Sequence, residues 1–267
     1  MKKFVIYLTV LVLALSFVSC SARRKSDKKA DNMEKRTSTT TVSTKSVKES
    51  TEEASEKKIK IAIDPGHQKK QMSEQEAIGP GAGETKPKVS SGTVGTVTGK
   101  PEYAVNLEVS LKLKKILESR GYKVYMIRET NDVSLSNKQR SLMANKSGSE
   151  ILVRIHCNSD DNSSVHGALT ICPTASNPYC GNIVADSKLL SKQVLKALCA
   201  KTGANERSII ETDNMTGINW SKIPVTIVEM GFMSNPEEDR KLSDSNYQKQ
   251  IAEGIAEGIH TYIGGKE

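Results

Sequence analysis

The chain is poor in several features that define common protein classes. Aromatic side chains make up 4% of it, with a single Trp, and no basic or aromatic cluster stands out after residue 58, so a nucleic-acid surface is not expected. The cysteines never fall in a C-x-x-C spacing, which excludes a cysteine-built zinc module. No internal repeat is present, which excludes solenoids and wall-binding repeat arrays. No apolar run reaches the roughly 20 residues of a membrane-spanning helix. The longest, from Phe4 to Val18, is shorter than that and stands directly behind Lys2 and Lys3.

That placement reads as a signal peptide over 1–19. It ends in Phe17-Val18-Ser19-Cys20, which resembles the lipobox of bacterial lipoproteins and makes Cys20 the expected lipidated residue. Residues 20–58 then hold almost only Ser, Thr, Lys, Arg, Glu, Asp, Asn and Ala. Such a stretch cannot bury enough apolar surface to offset its chain entropy, so it is expected to be a disordered tether. As a coil it has an end-to-end distance of roughly 35 Å. The tether also carries part of the net charge of +8, with 11 Lys/Arg against 7 Asp/Glu over 21–58, beside anionic lipid or wall polymers. What remains, 59–267, is enough for one domain with a full core.

Within that domain strands and helices alternate. Ile59, Ile61 and Ile63 alternate ahead of the Asp64-Pro65-Gly66 turn and predict a strand. Residues 68–99 are rich in Gly, Ser, Thr and Pro without apolar period, and read as a long loop. Val105, Val109, Leu113, Ile116 and Leu117 form a helical stripe closed by Gly121, with Pro101 suited to the first helical position. Strands are expected near 122–127, 151–156, 165–171 and 225–228, and helices near 136–146 and 182–201. A helix is also expected from Asn235, where Glu238 would close a capping box, and Ile251, Ile255 and Ile259 mark a final one. The class is α/β: a single domain with a mixed, mostly parallel twisted sheet flanked by helices. Cys172 and Cys180 stand close enough in sequence to bridge, and free thiols are the equal alternative.

Four residues attract attention by their place in this layout. His67 follows the first strand, Glu102 lies in the first turn of the next helix, and His156 and Glu229 end two buried strands. Strand carboxyl ends and helix amino ends share one edge of an open α/β sheet, where ligands bind. Two His and one Glu can supply three zinc ligands and leave a position for water, and a second Glu can move protons. Each also has a structural explanation, as a hydrogen-bonded strand-end His or a helix-start Glu. Glu229 is hardest to explain so, because an unpartnered carboxylate in an apolar strand is costly. His166 and His260 lack ligand-spaced neighbours, and Glu237 and Glu238 read as helix-start charges.

Ile61-Ala62-Ile63-Asp64-Pro65-Gly66-His67, Glu102 with Asn106-Leu107, Ile155-His156-Cys157-Asn158, and Val228 through Pro236 resemble, in order, the signature blocks of the zinc-dependent N-acetylmuramoyl-L-alanine amidases. The resemblance covers about 60–263. It implies one zinc ion held by His67, Glu102 and His156, with Glu229 as the catalytic carboxylate. It also implies hydrolysis of the amide between N-acetylmuramic acid and L-alanine in peptidoglycan. With the signal peptide and Cys20, an exported, membrane-anchored monomer is expected. The chain departs from the pattern at Gln68–Ala77, which intervenes before the Gly-rich passage, at Arg154, where a small hydroxyl residue is common, and at Cys157, where Ala is usual. A non-enzymatic wall-binding lipoprotein and a zinc carboxypeptidase acting within the stem peptide are the rival readings. The 68–99 segment is expected to wall the substrate groove, with Gly92–Gly99 letting backbone approach the peptide; a surface insertion without a role is the alternative.

Replacing Cys20 with Ala is expected to prevent acylation, leaving the protein unlipidated or cut elsewhere. Incorporation of labelled palmitate into the Cys20→Ala variant would refute the anchor.

Overall fold

The computed structural model describes residues 58–265. The expected signal peptide, Cys20 and all but the last residue of the 20–58 tether lie outside the described residues. Among the described residues, no helix is long and apolar enough to cross a membrane.

A six-stranded sheet is built from β1 (Lys60–Pro65), β4 (Lys123–Met126), β5 (Ile151–Asn158), β6 (Ala168–Cys172), β7 (Glu206–Glu211) and β8 (Val225–Phe232), in the order β4-β1-β5-β8-β6-β7. The strands from β4 to β8 pair in parallel, β6 runs antiparallel to β8, and β7 lies parallel to β6 at the edge. The sheet is therefore mixed and mostly parallel, as the alternation of elements predicts. Its helices are α1 (Glu102–Ser119), α2 (Asn137–Lys146), α3 (Val184–Thr202), α4 (Thr216–Asn219), α5 (Pro236–Ser243) and α6 (Ser245–Gly264).

The central strands are apolar on both faces because both are covered. On one face Ile61, Ile63, Val153, Ile155 and Val228 pack with Val105, Val109 and Leu113 of α1, Leu190 and Val194 of α3, and Ile251, Ile255 and Ile259 of α6. On the other, Ala62, Leu152 and Ile227 meet Ala144 of α2 and Ile218 of α4. Helix α6 lies against α3 at backbone distance. A Cβ on Gly258 would come within 2.5 Å of the Val194 Cα, and one on Gly254 within 2.7 Å of the Leu198 Cα.

Several local expectations need correction. Residues 68–99 are not a plain loop: β2 (Met72–Ala77) and β3 (Thr85–Val89) form an antiparallel hairpin. Their side chains are mostly exposed, so no apolar alternation announces them. Pro101 is the cap of α1 rather than its first helical residue, with extended backbone before Glu102. Asn235 does cap α5 through its side chain, but Glu238 closes no capping box. Its two carboxylate oxygens instead accept the amides of Gly167 at 2.8 Å and Phe232 at 2.7 Å. Of the two cysteine readings, the free-thiol one holds: Cys157, Cys172, Cys180 and Cys199 are all buried and unbridged.

Beneath the end of β1 lies a buried ionic knot. Asp64 is fully buried; its Oδ1 accepts from Arg140 Nη1 at 2.7 Å and its Oδ2 from Arg154 Nε at 2.8 Å. Arg140 and Arg128 also hold the turn that follows. Arg128 donates to the carbonyls of Pro65 at 2.8 Å and Gly66 at 2.9 Å, and Arg140 to those of Pro65 at 2.9 Å and His67 at 3.0 Å. Burial alone would raise the Asp64 pKa, but the two guanidiniums hold it at about 2, against an ordinary 3.8.

Because its folded-state pKa is depressed, Asp64 contributes stability in full above about pH 4, and that contribution is lost as pH falls through 2. Asp64→Asn is expected to lower the free energy of urea unfolding at neutral pH by about 3–5 kcal/mol, since it leaves two buried guanidiniums short of an anion. A loss below about 1 kcal/mol, the level of an ordinary neutral hydrogen bond, would refute this account of the knot.

Candidate metal centre

The turn after β1 delivers His67 with a backbone φ of 58°, the left-handed region that a residue with a Cβ adopts only under constraint. The arginine donors above and the Gly66 amide, bonded to the Ile155 carbonyl at 2.8 Å, supply that constraint. The ring is then oriented from the hairpin side. His67 Nδ1 lies 3.0 Å from the Ser90 carbonyl, with the Ser90 hydroxyl at 3.1 Å. A carbonyl can only accept, so Nδ1 donates to it, and Nε2 faces the cluster.

Glu102, the first residue of α1, is 2% exposed. Its Oε2 accepts the Thr93 amide at 2.9 Å, and its Oε1 accepts the Cys157 amide and Asn106 Nδ2, each at 3.0 Å. His67 Nε2 and His156 Nδ1 each lie 3.3 Å from the same Oε1. Burial would raise the pKa of Glu102, but its hydrogen bonds with His156 and His67 hold it well below the ordinary 4.5. Burial conversely drives His156 down to about 4, so its ring is neutral at physiological pH. Two glycines make room for this packing. A Cβ on Gly66 would come within 2.2 Å of the His156 ring, and one on Gly92 within 2.5 Å of Glu102 Oε2. Gly92 thus leaves room for the Glu102 carboxylate and the His67 ring.

Strands β5 and β8 run past His156 and Glu229 instead of ending there, and the two residues are direct cross-strand neighbours. Glu229 Oε2 and His156 Nε2 are buried polar atoms without a hydrogen-bond partner among the described residues. Burial, and then the charge of Glu102, push the Glu229 pKa up to about 8. Three of the four residues border one cleft of about 240 Å³ on the α2/α4 face of the sheet; Glu102 does not line it. His67, His156 and Glu229 line the cleft directly, with Lys86, Pro87 and Ser90 from the hairpin and Asn214 to Gly217 opposite. The hairpin wall is pinned: Lys86 Nζ donates to the Asn214 carbonyl at 2.8 Å, and Trp220 Nε1 to that of Ala77 at 2.9 Å.

The ligand atoms of His67, Glu102 and His156 all lie within 4.8 Å of one another. Two imidazoles and a carboxylate, with one imidazole nitrogen left orphaned in a buried site, form a donor set suited to zinc. Sequence reasoning named Asn106 and Cys157 only as parts of the signature blocks, without their support of Glu102, and missed Ser90 and Thr93. Asn106 stands four residues after Glu102 on the same helical face, a spacing that could have signalled it, whereas Ser90 and Thr93 carry no such signal. His166 and His260 stand apart, the first near the Ser164 carbonyl at 3.0 Å and the second near the Tyr122 hydroxyl at 2.7 Å. Glu237 pairs with Lys241 across one helical turn at 2.7 Å.

A His-Glu-His cluster with an unpartnered carboxylate beside it, in a cleft on a mixed α/β sheet, is an arrangement that metal-dependent hydrolases use. Comparison with known proteins narrows it. Residues 61–261 match the family of N-acetylmuramoyl-L-alanine amidases, and the chain belongs to that family. The N-acetylmuramoyl-L-alanine amidase LytC of Bacillus subtilis is 29% identical over 185 residues, covering 69% of this chain and 34% of that protein. AmiC of Escherichia coli O6:H1, also an N-acetylmuramoyl-L-alanine amidase, is 26% identical over 242 residues, covering 77% of this chain and 53% of that protein. The chain therefore spans about a third to a half of these relatives. Among solved structures, an N-acetylmuramoyl-L-alanine amidase from Clostridium difficile 630 is similar at a TM-score of 0.64 and 27% identity, covering 79% of this chain and 99% of that one. Ami1 from Mycobacterium smegmatis reaches 0.70 at 22% identity over 78% and 97%, a likeness of fold.

Proposed function

We propose that this chain hydrolyses the amide between N-acetylmuramic acid and L-alanine in peptidoglycan, with His67, Glu102 and His156 as zinc ligands and Glu229 as the proton carrier. The observation that carries this reading is the unpartnered Glu229 Oε2 beside the His-Glu-His cluster, in one cleft. Zinc, when bound by these residues, would polarise the amide carbonyl and acidify a water molecule. Glu229 Oε2 has no competing donor among the described residues, so it can take the water proton and deliver it to the departing alanine nitrogen. It must be ionised to begin. Burial and Glu102 oppose that at neutral pH, and a cation held by the neighbouring ligands would favour it. The hydrogen bond from His67 Nδ1 to Ser90 keeps Nε2 aimed at the cluster, and Asn106 and the Cys157 amide fix the Glu102 carboxylate. The proposal extends to an exported monomer that reaches the wall on a lipid attached to Cys20, with the catalytic domain over 59–267.

Chelation is expected to abolish release of stem peptides from purified peptidoglycan, and added zinc to restore it. His156→Ala should lose bound zinc and activity together. A chelated protein that still digests peptidoglycan would overturn the metal assignment, and cleavage inside the stem peptide instead of at the lactyl amide would favour the carboxypeptidase reading.

Glu229→Gln keeps the shape of the side chain but cannot accept a proton. Zinc content is expected to persist while kcat falls by roughly 10²–10⁴. Loss of zinc from this variant would make Glu229 a ligand and require the two carboxylates to exchange roles.

A further inference from the structure

The cleft contains a cation that the hydrolysis described above does not use. Arg154 stands two residues before His156 on β5, on the same face of the sheet and about 7 Å away along the strand, in the wall of the same cleft. It is 3% exposed. Its Nε donates to Asp64 Oδ2 and its Nη2 to Asn137 Oδ1, both at 2.8 Å. Among the described residues, Nη1 has no hydrogen-bond acceptor. It lies against Gly217, where a Cβ would fall within 1.3 Å of it, so the absence of a side chain at Gly217 is what leaves this nitrogen room beside the cleft.

Charge counting makes the open nitrogen significant. Asp64 serves Arg140 as well, at 2.7 Å, so one carboxylate answers two buried guanidiniums. Arg154 therefore shares its anion, and a buried guanidinium with an open N–H is suited to a second one. Lys86, the other cation lining the cleft, is already tied to the Asn214 carbonyl at 2.8 Å.

We infer that Arg154 forms a carboxylate-binding subsite that receives the free α-carboxylate of the stem-peptide residue following L-alanine. That residue is joined through its side-chain carboxyl, which leaves its α-carboxylate unsubstituted. Roughly two residue lengths of peptide, about 7 Å, separate that group from the lactyl carbonyl, which matches the separation of Arg154 from His156 along the strand. The inference rests on the amidase reading and deepens it: Arg154 touches no reacting atom and acts as a specificity residue.

The test compares two muropeptides on the zinc-loaded full chain, identical except that the second stem residue carries either its free α-carboxylate or the corresponding amide. The acid form is expected to be preferred by roughly 10–150-fold in kcat/KM, the range of one charge-assisted hydrogen bond, with most of the difference in KM. Equal kcat/KM for the two, or preference for the amide, overturns the subsite while the amidase reading stands. Cleavage of neither at the lactyl amide fails the amidase reading and removes the subsite with it. Because Arg154 also braces Asp64, the comparison on the unsubstituted protein carries the decision. Arg154→Lys keeps a charge but not the planar fork; with zinc content and circular dichroism preserved, its preference is expected to drop about tenfold, and an undiminished preference overturns the assignment.

Discussion

The arrangement of the candidate site depends on one buried carboxylate. Asp64 draws Arg140 from α2 and Arg154 from β5 under the end of β1. With that anchor in place, Arg140 has donors left over for the backbone of the turn above. Those donors, with Arg128, fix a backbone that would otherwise relax out of the left-handed region at His67. Without them the ring of His67 would have no reason to face Glu102. The position of a proposed zinc ligand thus follows from an ion pair that lies wholly out of solvent.

The same economy extends through the cluster. Glu102 receives amides from two distant segments, Thr93 before α1 and Cys157 on β5, so its carboxylate joins the hairpin connection to the central sheet. Charges near the cleft are placed unevenly: guanidiniums gather at Asp64, while Glu229 is left with an unsatisfied oxygen. A site built this way is poor in internal compensation, and suits a cation beside the carboxylates and an anion beside the arginines.

How much of this the sequence reveals varies with burial. The central strands and the long helices were legible because apolar residues recur at the period of each element, and His67, Glu102, His156 and Glu229 could be placed from strand ends and a helix start. The β2–β3 hairpin and β7 were not legible, because their residues are largely exposed and carry no alternation. Sequence placed His156 and Glu229 at strand termini, whereas both strands continue and set the residues side by side on a sheet face, because the apolar run alone does not mark where pairing stops. Arg154 registered as an oddity of the second histidine block. Its partnership with Asp64 and Asn137 spans separations of 90 and 17 residues and has no local signature.

The backbone contact between α3 and α6 has a consequence for how the molecule comes together. Ile251, Ile255 and Ile259 of α6 complete the same apolar layer as Ile61, Ile63 and the α1 stripe, and the glycines that let α6 reach α3 lie in α6 itself. Strand β1 therefore waits for a partner more than 180 residues later before its helix-covered face is closed. Contacts so distant in sequence are slow to form, since the entropy of loop closure must be spent before they return any stability. Until α6 has been synthesised and docked, the central strands expose apolar surface, and a nascent chain is vulnerable to aggregation over that whole interval.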